Sequence, residues 1–112
     1  MNANEFVALW RRERDILVAC FLDDSSEAAI AQQVRTLKLS EDQAAAVRNI
    51  ISEVVRDTMY TLLLGLDGEA SIGGVQQRYI IHDENGAAIS ESGEIEGAAY
   101  EQFHGEGEKK KA

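Results

Sequence analysis

Val75-Gln76-Gln77-Arg78-Tyr79-Ile80-Ile81-His82-Asp83-Glu84-Asn85-Gly86-Ala87-Ala88-Ile89-Ser90 decides the fold class, because the segments around it read as helix. Val75, Gln77, Tyr79 and Ile81 alternate with Gln76, Arg78, Ile80 and His82, which is the two-residue period of a strand. Asp83-Glu84-Asn85-Gly86 has the composition of a turn between antiparallel strands, with Gly86 supplying the positive φ such turns need. Ala87–Ser90 is then a short return strand. A two-stranded hairpin is marginal in water, so it is expected to lie against helices or to pair through its edge with a second copy.

Upstream, Phe6, Leu9, Trp10, Ile16, Leu17, Cys20 and Phe21 recur at spacings of three and four, one face of an amphipathic helix over about residues 3–22. Asp24-Ser25-Ser26-Glu27 has the form of a capping box for a short second helix, with Ile30, Val34 and Leu37 on one face. Ser40-Glu41-Asp42-Gln43 is a better box. It opens a run of Val47, Ile50, Ile51, Val54, Val55, Thr58, Met59, Leu62 and Leu63, predicting a central helix about 37 Å long. From Tyr60 to Leu66 the apolar residues surround the helix axis, so this end is expected to be buried on all sides. Gly65 and Gly68 supply stop signals, and residues 67–74 read as a loop. Downstream, Ser92 is placed to cap a last helix with Ile95, Ala99 and Phe103 inward and Glu94 and Glu96 in its first turn. The expected architecture is α+β: a helix-dominated single domain with three N-terminal helices, the third long, a β-hairpin and a C-terminal helix. Residues 1–104 form the domain, and 105–112 a disordered charged tail.

The chain of 112 residues is 45% hydrophobic and 28% charged, suited to one globular core. Its polar opening, Met1-Asn2-Ala3-Asn4-Glu5, is unlike a secretory leader, and a single cysteine makes no internal disulfide. A cytosolic protein is expected. The formal net charge is −9, which disfavours nucleic acid and anionic membrane as partners. The surplus is uneven: residues 1–66 carry ten acids and seven bases, whereas residues 67–104 carry eight acids and one base, Arg78.

Catalytic and metal-binding patterns fail on spacing. The glycines of 65–74 lack a Gly-Lys-Ser/Thr ending and run from helix to strand, opposite to a phosphate loop. His82-Asp83-Glu84 and Glu101 with His104 make no zinc spacing. Asp83, Asn85 and Glu94 fall at EF-hand positions one, three and twelve, but position six is Ala88 where glycine is required. Cys20 is expected to be a small buried hydrophobe. Arg11 and Asp15 are spaced for an intrahelical ion pair. No cofactor, metal or catalytic residue is assigned, and the chain is not read as an enzyme.

What remains is the acid-rich region. Asp67, Glu69, Asp83, Glu84, Glu91, Glu94 and Glu96, with Glu101 beside them, are either a solvated face or a docking surface for a basic protein. Residues 62–77 (Leu-Leu-Leu-Gly-Leu-Asp-Gly-Glu-Ala-Ser-Ile-Gly-Gly-Val-Gln-Gln), the turn Asp83–Gly86 and residues 93–104 (Gly-Glu-Ile-Glu-Gly-Ala-Ala-Tyr-Glu-Gln-Phe-His) resemble small acidic bacterial proteins of unknown function, of the immunity-protein kind. That resemblance implies a cytosolic protein without catalysis that masks a toxin such as a nuclease. It transfers no functional residue. Two alternatives stand beside it: a pocket lined by Tyr79, His82, Glu101 and His104 for a small molecule or metal, and a structural homodimer through the hairpin edge or the long helix.

Overall fold

The computed structural model describes residues 1–90 and 93–105. Helices α1 (Ala3–Leu22), α2 (Ala29–Thr36), α3 (Glu41–Leu66) and α4 (Glu94–Phe103) account for the regular structure among them. Local chemistry explains where α1 and α3 begin. Asn2 accepts from the Glu5 N–H at 2.8 Å while the Glu5 carboxylate accepts from the Asn2 N–H at 3.3 Å. Ser40 and Gln43 form the reciprocal box expected of them, at 3.2 and 3.0 Å. With 26 residues, α3 is about 39 Å long.

The expected box at Asp24–Glu27 does not form, and α2 starts later, after Ala28, with no side-chain cap. The Asp23 carboxylate captures the Ser25 N–H and hydroxyl, both at 2.8 Å, and the Ser26 hydroxyl accepts from the Ala28 N–H at 3.1 Å. The serines are thus spent on a turn, which competes locally with helix entry.

The α+β expectation is corrected: the protein is helical and the hairpin is absent as a pair of strands. Between α3 and α4 the described chain has only two isolated antiparallel bridges, Ile72 with Val75 and His82 with Ala88. The turn itself forms. Gly86 has φ +84°, and the Asp83 carboxylate accepts from the N–H groups of Asn85 and Ala87 at 2.9 and 3.0 Å. Two cross-strand backbone bonds flank the turn, from the Asp83 N–H to Ala87 O (3.0 Å) and from the Ile89 N–H to Ile81 O (2.7 Å), and the other groups of the arm turn elsewhere. The Tyr79 N–H donates to Leu66 O at the end of α3 (3.3 Å), and the Ile81 N–H donates to the Ser90 hydroxyl (2.8 Å). That hydroxyl in turn donates to Tyr79 O at 2.8 Å. With a return segment of four residues and no third strand, pairing goes no further than the His82–Ala88 bridge and the bonds beside it. The 75–90 arm is an irregular strap tied to the helices.

The core sits at one end. α4 packs on both α1 and α3, and Val7, Leu63, Ile95, Ala99 and Phe103 are fully buried with Ala3, Ile89 and Ala98 around them. Each large side chain among these contributes roughly 1.5–3 kcal/mol by leaving water. Gly65 is buried beneath the 67–74 loop, and a Cβ there would collide with the Ile72 side chain. The end of α3 is not enclosed on every side as expected: Leu63 and Gly65 are buried, but Leu62 is 39% exposed.

Burial on α1 does not follow its apolar stripe. The buried residues are Ala3, Val7 and Arg14, whereas Leu9 and Ile16 are exposed, and so is Cys20. Leu9 follows Val7, and Ile16 follows Arg14, by two residues, a rotation of about 200° to nearly the opposite side. α4 therefore covers the Val7–Arg14 side, Phe6, Trp10 and Leu17 in the middle of the stripe are half-buried, and its far margin, with Leu9 and Ile16, is left to solvent. The expected burial of Cys20 is corrected for the same reason.

Candidate functional site

Seven carboxylates were the sequence's candidates, and the structure divides them. Asp67 is 3% exposed. Its Oδ2 accepts from the Glu96 N–H at 3.0 Å, in the first turn of α4, whose N-cap Gly93 has no side chain to do so. Asp67 is thus a cap supplied from 29 residues away, and its negative charge suits the helix N-terminus. Asp83 is also engaged: its Oδ2 lies 3.0 Å from the Met1 ammonium while Oδ1 holds the turn. The ammonium contact, followed by the Ala87 N–H, holds the Asp83 carboxyl below the usual carboxylate range. The same contact raises the Met1 amino group. Glu91 lies outside the described residues, as does Ser92, the expected cap of α4.

Glu69, Glu84 and Glu94 are exposed and Glu96 is half-buried. The contacts above bring their elements to one end of the molecule. Asp67 ties the end of α3 to the start of α4, Met1 ties the 83–86 turn to the start of α1, and Asn2, Ala3 and Asn4 line a shallow hollow with Glu94, Gly97 and Ala98. Glu96 lies close enough to Tyr60 to raise its phenol, second to burial as a cause. This end is an acidic pole that includes the exposed Glu5 and Arg78.

The pocket proposed for Tyr79, His82, Glu101 and His104 is not drawn together by any contact found. The His104 ring packs edge-on against Tyr60 (centroids 4.4 Å apart) and is tilted against Tyr100 (6.1 Å). The His82 Nδ1 lies 3.3 Å from Gly86 O. Among the described residues no three His, Cys, Asp or Glu side chains converge as metal ligands.

Two features were missed in the sequence. Arg14 is fully buried, with its guanidinium 5.6 Å from the centre of the Phe103 ring and 3.4 Å from the Asp15 carboxylate. Its stem and cation fill the α1–α4 seam, in a position the notional polar face of α1 concealed. The second is an apolar groove of ≈ 470 Å³ between Phe6, Leu9, Trp10 and Ile16 on α1 and Met59 on α3, edged by Arg12 and Glu13. The signal was present as a stripe too wide for one small helix to cover. A smaller apolar hollow lies between Phe21 on α1, Ile30 on α2 and Ile50, Ile51, Val54 and Val55 on α3.

No protein-family model matches the chain, and neither a curated protein nor a solved structure matches it. No helix among the described residues is long and apolar enough to cross a membrane.

Proposed function

We propose that the chain is a non-catalytic binding module that docks its acidic pole on a basic protein, in the manner of an immunity protein masking a toxin such as a nuclease. The observation that supports this reading is the gathering of Glu69, Glu84, Glu94 and Glu96 at the end where α4 meets α1 and α3, in a segment with Arg78 as its single base. In a cationic cleft these carboxylates stand in for phosphates. They speed encounter with the positive surface, and the attraction weakens as salt screens it. Asp67 and Asp83 act differently: they hold the pole's backbone in place rather than touching the partner.

The test is capture of a basic partner from the native cell with the full chain, beside a variant with Glu84, Glu94 and Glu96 reversed to lysine. The wild type should retain a partner that salt elutes, and the variant should lose it. A partner held equally by both would remove the acidic pole from the mechanism.

A further inference from the structure

On its inner side α4 seats a cation on an aromatic ring, with the Arg14 guanidinium 5.6 Å from the centre of Phe103. Its outer side carries a second aromatic group. Tyr100 is 58% exposed, and Glu96, Tyr100 and His104 recur every four residues, which puts them on one face of the helix. Tyr60 reaches this face from α3, its ring 4.4 Å from that of His104 and nearly perpendicular to it, at 86°. The Tyr100 ring lies 6.1 Å from the same imidazole, tilted by 36°. Burial first, then the Glu96 carboxylate and the Tyr100 phenol, push Tyr60 above the usual phenol range, so the three groups share one patch. Gly97, one turn before Tyr100, leaves open surface beside it, with nothing within 4 Å of where its Cβ would stand.

We propose that this patch anchors an arginine side chain of the basic partner, whose guanidinium lies on the Tyr100 ring while Glu96 pairs with its charge. The anchor rests on the acidic pole being the docking surface, and it adds the group that holds the partner once charge has steered it in. Glu96 belongs to both, so pole and patch are continuous.

The chemistry selects the occupant. The face of a phenol ring carries the negative side of its quadrupole, which attracts a cation. A guanidinium is planar and weakly hydrated, so it stacks there better than a lysine ammonium. The surrounding charge favours the same group: residues 67–104 carry eight acids and one base, Arg78. Among the described residues no arginine or lysine lies over Tyr60 or Tyr100. An anion would be repelled by Glu96, and an aliphatic group would have to strip its water without replacing it. Binding energy at protein interfaces concentrates on aromatic and arginine anchors, whereas exposed carboxylates at the rim act mainly on the rate of encounter. Glu69, Glu84 and Glu94 thus steer, and Tyr100 with Glu96 holds.

Two peptides of equal length and charge, nona-arginine and nona-lysine, test this when titrated into the full chain by calorimetry, with circular dichroism to confirm that each variant is folded. The wild type should bind the arginine peptide about 5-fold more tightly than the lysine peptide. Tyr100→Ala, at an exposed helical position, should remove that preference and leave the lysine peptide within about 2-fold of its wild-type affinity. Tyr100→Phe keeps the ring and should keep the preference. Reversing Glu84, Glu94 and Glu96 to lysine should weaken both peptides about 10-fold or more. Equal wild-type affinity for the two peptides overturns the anchor. So does a preference that survives Tyr100→Ala, since bidentate pairing with carboxylates would then account for it. A Phe variant as impaired as the Ala variant overturns it too. In each of these cases the acidic pole stands if the glutamate reversals still weaken both peptides. A wild type that binds neither peptide sinks the pole, and the anchor with it.

Discussion

The two ends of α1 show opposite relations between sequence and burial. At its N-terminal end Ala3 and Val7 sit under α4, and the apolar residues there are covered. Along its middle, Leu9 and Ile16 belong to the same amphipathic stripe yet face solvent. The difference lies in the partner available. α4 has ten residues, and it covers the side of α1 that carries Val7 and Arg14. The acidic pole is thus built over a dense core, while the apolar face is built over half a core.

The largest effect should come from breaking the dense side. Phe103→Ala should cost about 3–5 kcal/mol in denaturant unfolding, because it empties the space between α1, α3 and Arg14. Ile16→Ala should change stability by no more than about 0.5 kcal/mol. A comparable loss at both sites would contradict the contrast. Next in size, Asp67→Ala should cost about 1–2 kcal/mol by removing the remote cap of α4. Asp67→Asn, which keeps an acceptor but loses the charge, should cost less.

Capture of a basic partner should weaken as ionic strength rises. Capture indifferent to salt would contradict an electrostatic role for the acidic pole.

The smallest effect is in pH. The folded Asp83 carboxyl titrates below its unfolded value, so its contribution is present above pH ~4 and is lost as the pH falls through the lower folded value. The Met1 amino group titrates above its unfolded value. Its contribution is full below pH ~8 and is lost as the pH rises through the higher folded value. Asp83→Asn should flatten both limbs of a stability–pH curve, and a curve unchanged by it would show that the contact contributes nothing.

Much of the helical layout was legible because it rests on neighbours in the chain. The three-and-four spacing from Phe6 to Phe21 placed α1, and the Ser40–Gln43 box placed the start of α3. The same local logic failed at Asp24–Glu27, where Asp23 offered the serines a competing turn. It failed again at 75–90, where alternation was correct as a pattern, but strand pairing needs an opposite segment long enough to sustain a ladder. In the acid set, Asp67 looked like Glu69 in sequence and differs from it in everything that matters physically, since one is buried as a cap and the other is exposed. A glycine at the start of α4 was the available clue that some other residue must supply the missing acceptor.

Periodicity, capping residues and net charge are properties of residues within a few positions of one another, so the order of amino acids was enough to place α1 and α3 and the acidic surplus. Burial is a property of whatever lies opposite. Only the docking of α4 decided that Val7 and Arg14 would be enclosed and Leu9 and Ile16 left bare, and only the approach of α3 to α4 turned Asp67 from a surface charge into a structural one.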